Sequence, residues 1–106
     1  MDAWLDLDPS LAPGLEGIEV GDEIIVITWL HLAARDVLRV RPRGEQHAEL
    51  TGVFNTRSPD RPNPIGLHRV TVRTLESTRL LVGPVEALDG TPVLDIKPVL
   101  THGTDS

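Results

Sequence analysis

The chain has 106 residues, 40% of them hydrophobic, a formal net charge of -6 and no cysteine. These values suit one domain over residues 1–106 with one modest core, and they exclude a disulfide framework. No apolar run is long enough to cross a bilayer and no basic-then-apolar leader opens the chain, which predicts a cytoplasmic protein and no membrane partner. The four histidines lie at no ligand-like spacing, so we expect no metal site.

The charge is unevenly distributed along the chain. Residues 1–34 carry a net charge of -7, residues 35–79 carry +4 and residues 80–106 carry -3. All nine cations of the central segment are arginines, whose planar guanidinium groups suit phosphate and carboxylate. The central segment therefore predicts an anionic partner. The alternative is that these arginines are solvated strand faces that pair with the acidic ends.

The elements read in chain order are mostly strands. A brief helix is predicted around residues 9–17 or 32–36, and "EIIVITWLH" (23–31) is typical of a central strand because it is β-branched and apolar on both faces. Further strand candidates lie at 36–42, 49–54, 68–76, 79–88 and 91–100, the third and fourth joined as a hairpin. This pattern predicts a mainly β fold, a small antiparallel β-barrel with one or two short helices. The sequence contains no strand-linked G-x-G-x-x-G motif, so it does not predict a Rossmann sheet.

The proline-rich loop "NTRSPDRPNPIG" (55–66) interrupts these strands. Pro59, Pro62 and Pro64 each fix φ and remove a backbone donor, and each biases the preceding residue toward extended geometry. We therefore predict a stiff, extended loop with few internal hydrogen bonds, whose polar side chains are available to a ligand at little ordering cost. The alternative is that the prolines only stiffen a surface loop.

A second polar motif is "LDGTPVLDIKP" (88–98), in which an Asp-Gly pair indicates a turn before the last strand. Alternation predicts that Val93, Asp95 and Lys97 share one face while Leu94 and Ile96 share the other. Asp95 is either half of an exposed pair with Lys97 or a ligand of a hydroxyl or amine, and composition does not choose between these two roles.

Taken together, "GVFNTRSPDRPNPIGLHRV" (52–70), "LDGTPVLDIKP" and, more weakly, "GLEGIEVGDEIIVITWLH" (14–31) resemble the TsaA-like (TrmO) family. Members are S-adenosylmethionine-dependent methyltransferases that act on N6 of threonylcarbamoyladenosine in tRNA. The resemblance implies a small β-barrel, usually a homodimer, that binds S-adenosylmethionine. The family usually begins with a further strand and an Arg-Gln segment, so the resemblance also predicts a domain that is short at its amino terminus.

The matching motifs imply specific roles for residues of this chain. The residues implied to bind the cofactor are Arg57, Ser58, Asn63, Ile65, Gly66, Leu67, Leu88 and Asp95. The arginines expected to contact tRNA phosphates are Arg35, Arg39, Arg41, Arg43 and Arg61. The catalytic candidates are His31, Asn63 and Asp95, and no single residue is identified as the general base; His31 is alternatively a structural histidine at the end of a strand.

Three hypotheses about function remain open from the sequence. They are a tRNA adenosine methyltransferase, a methyltransferase on another substrate, and a non-catalytic S-adenosylmethionine-binding or dimerisation module. We also expect a homodimer, because an exposed sheet edge invites a partner strand, with Trp4 and Leu5 as candidate contacts.

Overall fold

The computed structural model describes residues 1–41, 49–86 and 89–100, and its main feature is a five-stranded antiparallel sheet. The strands of this sheet are β1 (Ala3–Asp6), β2 (Glu23–Trp29), β5 (Ile65–Glu76), β6 (Arg79–Gly83) and β7 (Val93–Pro98). They lie in the order β1-β6-β5-β2-β7. A separate two-stranded ribbon pairs β3 (Arg39–Val40) with β4 (Thr51–Gly52), and two 3-10 helices span Pro9–Leu15 and Val53–Asn55.

Strand β2 is central because it pairs with β5 on one side and β7 on the other. Its side chains alternate between the two faces of the sheet, with Ile24, Val26 and Thr28 buried on the inner face. The inner face of the sheet holds the hydrophobic core, in which the 3-10 helix contributes Leu15. The fully or nearly buried members of this core are Leu5, Leu15, Ile24, Val26, Val70, Val72, Leu80 and Val82.

The predicted hairpin between the third and fourth strand candidates is confirmed. Strands β5 and β6 pair from Thr71–Gly83 to Glu76–Arg79, and the chain reverses through Ser77, whose φ is 55°. A bulge between Val72 and Thr74 shifts the alternation by one residue. Val72 and Leu75 therefore both pack on the core, and β5 bends around it.

The predicted closed barrel is not found in the part of the chain that the structure describes. There β1 pairs only with β6 and β7 pairs only with β2, so the sheet is open at both edges. The four residues of β1 show little strand signal, and their pairing with β6 is a tertiary effect that the sequence pattern did not predict. Within the described residues of the candidates at 36–42 and 49–54, the structure shows the strands β3 and β4, two residues each.

The predicted helix near residues 9–17 is confirmed as a 3-10 helix over Pro9–Leu15. Asp8 caps it, accepting hydrogen bonds from Ser10 Oγ at 2.7 Å and Ser10 N at 2.9 Å, and these bonds hold the pKa of Asp8 below its usual value. Pro13 lies inside the helix and supplies no backbone donor. Residues 32–36, the other candidate, form turns and bends rather than a helix. No helix among the described residues is long and apolar enough to cross a membrane.

Candidate functional site

The proline-rich loop is held by its own hydrogen bonds, which corrects the expectation that it has few. Arg61 Nη1 donates to the carbonyl oxygens of Thr56 at 2.9 Å and Ser58 at 3.2 Å. Ser58 N donates to Thr56 Oγ1, and Asp60 N donates to Ser58 Oγ. The prolines remove donors, and side chains satisfy the carbonyls that this leaves without a backbone partner.

A second set of contacts joins the loop to the turn that follows β2. Arg35 Nε donates to Pro62 O at 2.8 Å, and Arg35 Nη2 donates to Asn63 Oδ1 at 3.3 Å. The same guanidinium lies over the Trp29 ring, 5.2 Å from its centroid. Ala34 N donates to Asp60 Oδ1 at 2.9 Å. Arg35 and Arg61, both expected to contact tRNA, therefore also brace the loop.

The outer face of the sheet brings four of the implied cofactor residues together. Ile65 pairs directly with Trp29, and Leu67 pairs with Ile27. Ile27 also pairs with Asp95 on its other side. Because directly paired residues project to the same face, these side chains form a continuous surface across β5, β2 and β7, and Asn63 adjoins it through Arg35 and Trp29. We call this surface the outer patch: Ile27, Trp29, Arg35, Asn63, Ile65, Leu67 and Asp95.

The outer patch is apolar in the middle and polar at its ends. Ile65 is 49% exposed and Leu67 is 48% exposed, which is unusual for two neighbouring strand positions in a chain with a small core. Asp95 is exposed; its Oδ1 accepts from Ile96 N at 2.8 Å and its Oδ2 lies 3.6 Å from Lys97 Nζ.

Strand β7 contains a bulge that corrects the predicted alternation. The register shifts so that Ile27 pairs with Asp95 while Thr28 pairs with Val93, which leaves Leu94 as the extra residue. Val93 therefore packs on the core with Ile96 rather than sharing a face with Asp95 and Lys97. The prediction that Asp95 and Lys97 share a face is confirmed.

Two further implied cofactor residues lie elsewhere. Arg57 and Ser58 line a cleft of about 910 Å³ between the proline-rich loop and the β3–β4 ribbon. Arg39 and Arg41 line the same cleft, which we call the arginine cleft. Ion pairs among the described residues involve Arg69, Arg73, Arg79 and Lys97, and none of the three arginines of the cleft. The predicted Leu88 and Arg43 fall outside the described residues.

The inner face of β5 carries a histidine that the sequence analysis did not single out. His68 Nε2 and Thr28 Oγ1 are joined by a hydrogen bond of 2.9 Å, and burial lowers the pKa of His68 below its usual range. Gly66 is buried beside them, and an added Cβ there would lie 2.7 Å from His68 Nε2. Gly66 thus leaves room for this pair and does not belong to the outer patch. His68 is two residues before the buried Val70, so strand alternation places both side chains on the core face. This spacing is the sequence signal for a buried histidine.

His68 opens into a cleft of about 930 Å³ between β1 and the segment that precedes β7. The carboxylates that line this cleft are Asp2, Asp6, Asp8 and Asp89, so it is a poor site for an anion. His31 lies outside it, in an exposed turn beyond the end of β2, where its backbone N donates to Trp29 O. Among the described residues no cluster of three or more acidic or histidine side chains is arranged to hold a metal ion.

The two candidate dimer contacts differ in exposure. Leu5 is only 9% exposed and its side chain packs in the core. Its register opposite Leu80 turns it inward. Trp4 projects to the other face, is 40% exposed and carries the Arg79 guanidinium 4.4 Å from its ring centroid.

Comparison with known proteins identifies the family. The profile of the tRNA-methyltransferase O N-terminal domain matches residues 1–105. The chain is 50% identical over 91 residues to a probable S-adenosyl-L-methionine-binding protein of Methanothermobacter thermautotrophicus and 55% identical over 86 residues to an S-adenosyl-L-methionine-binding protein of Archaeoglobus fulgidus. These matches cover 85% and 81% of this chain but 64% and 60% of the two relatives.

The crystal structure of TrmO from Pseudomonas aeruginosa superposes with a TM-score of 0.71 at 32% identity, covering 99% of this chain and 46% of that one. The chain belongs to the tRNA-methyltransferase O N-terminal domain family.

Proposed function

We propose that this domain binds S-adenosylmethionine on the outer patch and takes part in methyl transfer to N6 of threonylcarbamoyladenosine in tRNA. The observation that carries the proposal is the convergence of Asn63, Ile65, Leu67 and Asp95 on one surface in a chain of this family. Curated relatives are named for S-adenosyl-L-methionine binding, which supports the choice of cofactor.

The side chains of the outer patch suit the chemical groups of S-adenosylmethionine. Its adenine ring needs an apolar surface, which the side chains of Ile27, Ile65 and Leu67 offer. Its hydroxyl and ammonium groups need an acceptor, and the exposed Asp95 carboxylate is one. Its carboxylate needs a cation, and Arg35 lies at the same surface. Loop residues already fixed by hydrogen bonds lower the ordering cost of binding.

When bound, S-adenosylmethionine supplies a methyl group on a positively charged sulfur, so the methyl carbon is already electrophilic. The remaining tasks of the protein are to orient the acceptor nitrogen, to exclude water and to accept the proton that this nitrogen loses. Of the three catalytic candidates, the Asn63 amide is too weak a base, and His31 lies in an exposed turn beyond β2. Asp95 already serves as the acceptor for the cofactor, so no general base is assigned on the outer patch.

A second candidate function has its own support. The names of the two curated relatives mention S-adenosyl-L-methionine binding alone. A domain that binds S-adenosylmethionine without completing the transfer fits these observations as well. The two functions differ in one observable, which is a methylated nucleoside.

Two measurements test the proposal. Calorimetry with S-adenosylmethionine should show binding that Asp95→Asn weakens roughly 10-fold or more, because hydrogen bonds to charged groups contribute about 1.5–3 kcal/mol. Glu76→Gln makes the same charge change at the exposed hairpin end and should leave the affinity unchanged. Mass spectrometry of tRNA nucleosides after incubation should show the methylated product. If the unsubstituted protein binds no cofactor at millimolar concentration, the proposal fails; if it binds cofactor and forms no product, the binding function remains.

A further inference from the structure

The segment next to the arginine cleft presents an aromatic ring to solvent. Phe54 is 78% exposed, the most open of the three aromatic side chains in the chain. Single exposed apolar residues are ordinary on protein surfaces. Phe54 differs from them because its backbone is fixed, a guanidinium lies beside its ring, and arginines without a carboxylate partner among the described residues line the adjoining cleft.

The position of Phe54 is fixed from both sides along the chain. Val53, its neighbour in the 3-10 helix, is 1% exposed, and Val53 N donates to Leu38 O at 2.9 Å. Thr56 closes the turn by donating its backbone N and its Oγ1 to Val53 O, at 3.1 Å and 3.0 Å. A buried anchor and a closed turn hold the ring outward, so its exposure does not come from a loose segment.

Arg61 lies near the ring, with its Cζ 5.9 Å from the centroid. Two loop carbonyls already hold this guanidinium, so it needs no reordering to remain there. The next residue after Phe54, Asn55, lines the arginine cleft together with Arg39, Arg41 and Arg57. The same cleft is lined by one carboxylate, Asp60, whose Oδ1 accepts from Ala34 N. An exposed aromatic ring therefore adjoins a concave surface on which three arginines outnumber one carboxylate.

This combination selects for a particular ligand chemistry. A phosphodiester chain supplies anions at regular intervals, and an unstacked nucleobase supplies a flat π-surface for an aromatic side chain. A base within a duplex is stacked on both faces and cannot cover Phe54. An acidic peptide would use the arginines and leave the ring without a matching partner.

We propose that Phe54 stacks on an unpaired base of a single-stranded RNA segment whose phosphates enter the arginine cleft. This inference rests on the proposed function and deepens it, because it assigns RNA contact to a specific side chain and a specific cleft. It also separates the RNA surface, at the β3–β4 ribbon and loop, from the outer patch that takes the cofactor.

The test compares variants of Phe54 against a labelled short single-stranded oligoribonucleotide and its duplex, by fluorescence anisotropy. Phe54→Leu keeps an apolar side chain and removes the ring, and it should weaken single-strand binding roughly 5- to 150-fold, the equivalent of about 1–3 kcal/mol of base stacking. Phe54→Trp should retain the affinity. Leu38→Ala, a matched loss of apolar surface at a residue that is 64% exposed, should have little effect. The salt dependence should be the same in all four proteins, because no phosphate contact is removed.

Each contrary result has a distinct meaning. If the single strand binds and Phe54→Leu binds it equally well, the inference is overturned while the proposed tRNA function stands. If no RNA binds at low salt, the tRNA substrate and this inference both fail, and cofactor calorimetry still reports on the outer patch. If Phe54→Leu changes the sedimentation coefficient and not the RNA affinity, the ring belongs to a contact between two copies of the chain and the inference is wrong.

Discussion

Replacing Gly66 with alanine tests how closely β5 approaches the Thr28–His68 pair. An added Cβ would overlap Thr28 Oγ1 and would lie 2.7 Å from His68 Nε2 and 3.2 Å from Leu30 Cδ2. Thr28 is 3% exposed, so its hydroxyl has no solvent to turn to if the hydrogen bond with His68 breaks. Overpacking of a core costs about 1–3 kcal/mol. A buried hydroxyl left without a partner costs about 1–3 kcal/mol more.

We therefore expect Gly66→Ala to lower the free energy of unfolding by roughly 2–6 kcal/mol, a large share of the ~5–15 kcal/mol that a domain of this kind has. Urea denaturation followed by far-ultraviolet circular dichroism measures this difference. Gly52→Ala is the matched control, because Gly52 has a φ of -60° and no atom within 4 Å of an added Cβ. Combining Gly66→Ala with Thr28→Ala should recover part of the loss. If Gly66→Ala is as stable as Gly52→Ala, this account of the close approach is wrong.

Three further predictions follow from the arginine cleft, the buried histidine and the open sheet edges. Arg39→Ala or Arg41→Ala should flatten the slope of log affinity against log salt for single-stranded RNA by about 0.7 each, and unchanged slopes would remove these residues from the phosphate contacts. Because the pKa of His68 is lowered on folding, its contribution to stability is complete above the ordinary value of 6.5 and is lost as pH falls below it. His68→Gln should therefore flatten the decline of unfolding free energy between about pH 7.5 and pH 5. We expect a homodimer, so sedimentation equilibrium at tens of micromolar should give twice the 11.6 kDa of one chain, and a single-chain mass would contradict this.

Periodicity predicted the long central elements well, and it failed where pairing depends on distant residues. β2 and β5 contain enough β-branched residues in sequence to be recognised alone. β1 has four residues, and only the register of Trp4 and Leu5 against β6 makes it a strand. The bulge at Leu94 places Val93 on the opposite face from Asp95, because one extra residue puts the side chains before it out of step with those after it.

The residues that the resemblance assigned to one cofactor site lie on two different surfaces of the structure. Ile65, Leu67 and Asp95 were assigned to one site by resemblance, and strand register places them on one surface. Arg57 and Ser58 were assigned to the same site, but the loop turns them toward the arginine cleft. No local pattern indicates which way a proline-rich loop presents its side chains, since long-range hydrogen bonds such as Arg35 to Pro62 decide it.

The open edges of the sheet bear on aggregation. An exposed edge strand is a template for uncontrolled strand addition and fibril growth. Strand β7 carries Asp95, Lys97 and Pro98, where a charged pair and a missing backbone donor oppose the docking of a foreign strand. Strand β1 is only four residues long and ends at Asp6. These features discourage aggregation, so substitutions that remove the charges of β7 should lower solubility before they lower stability.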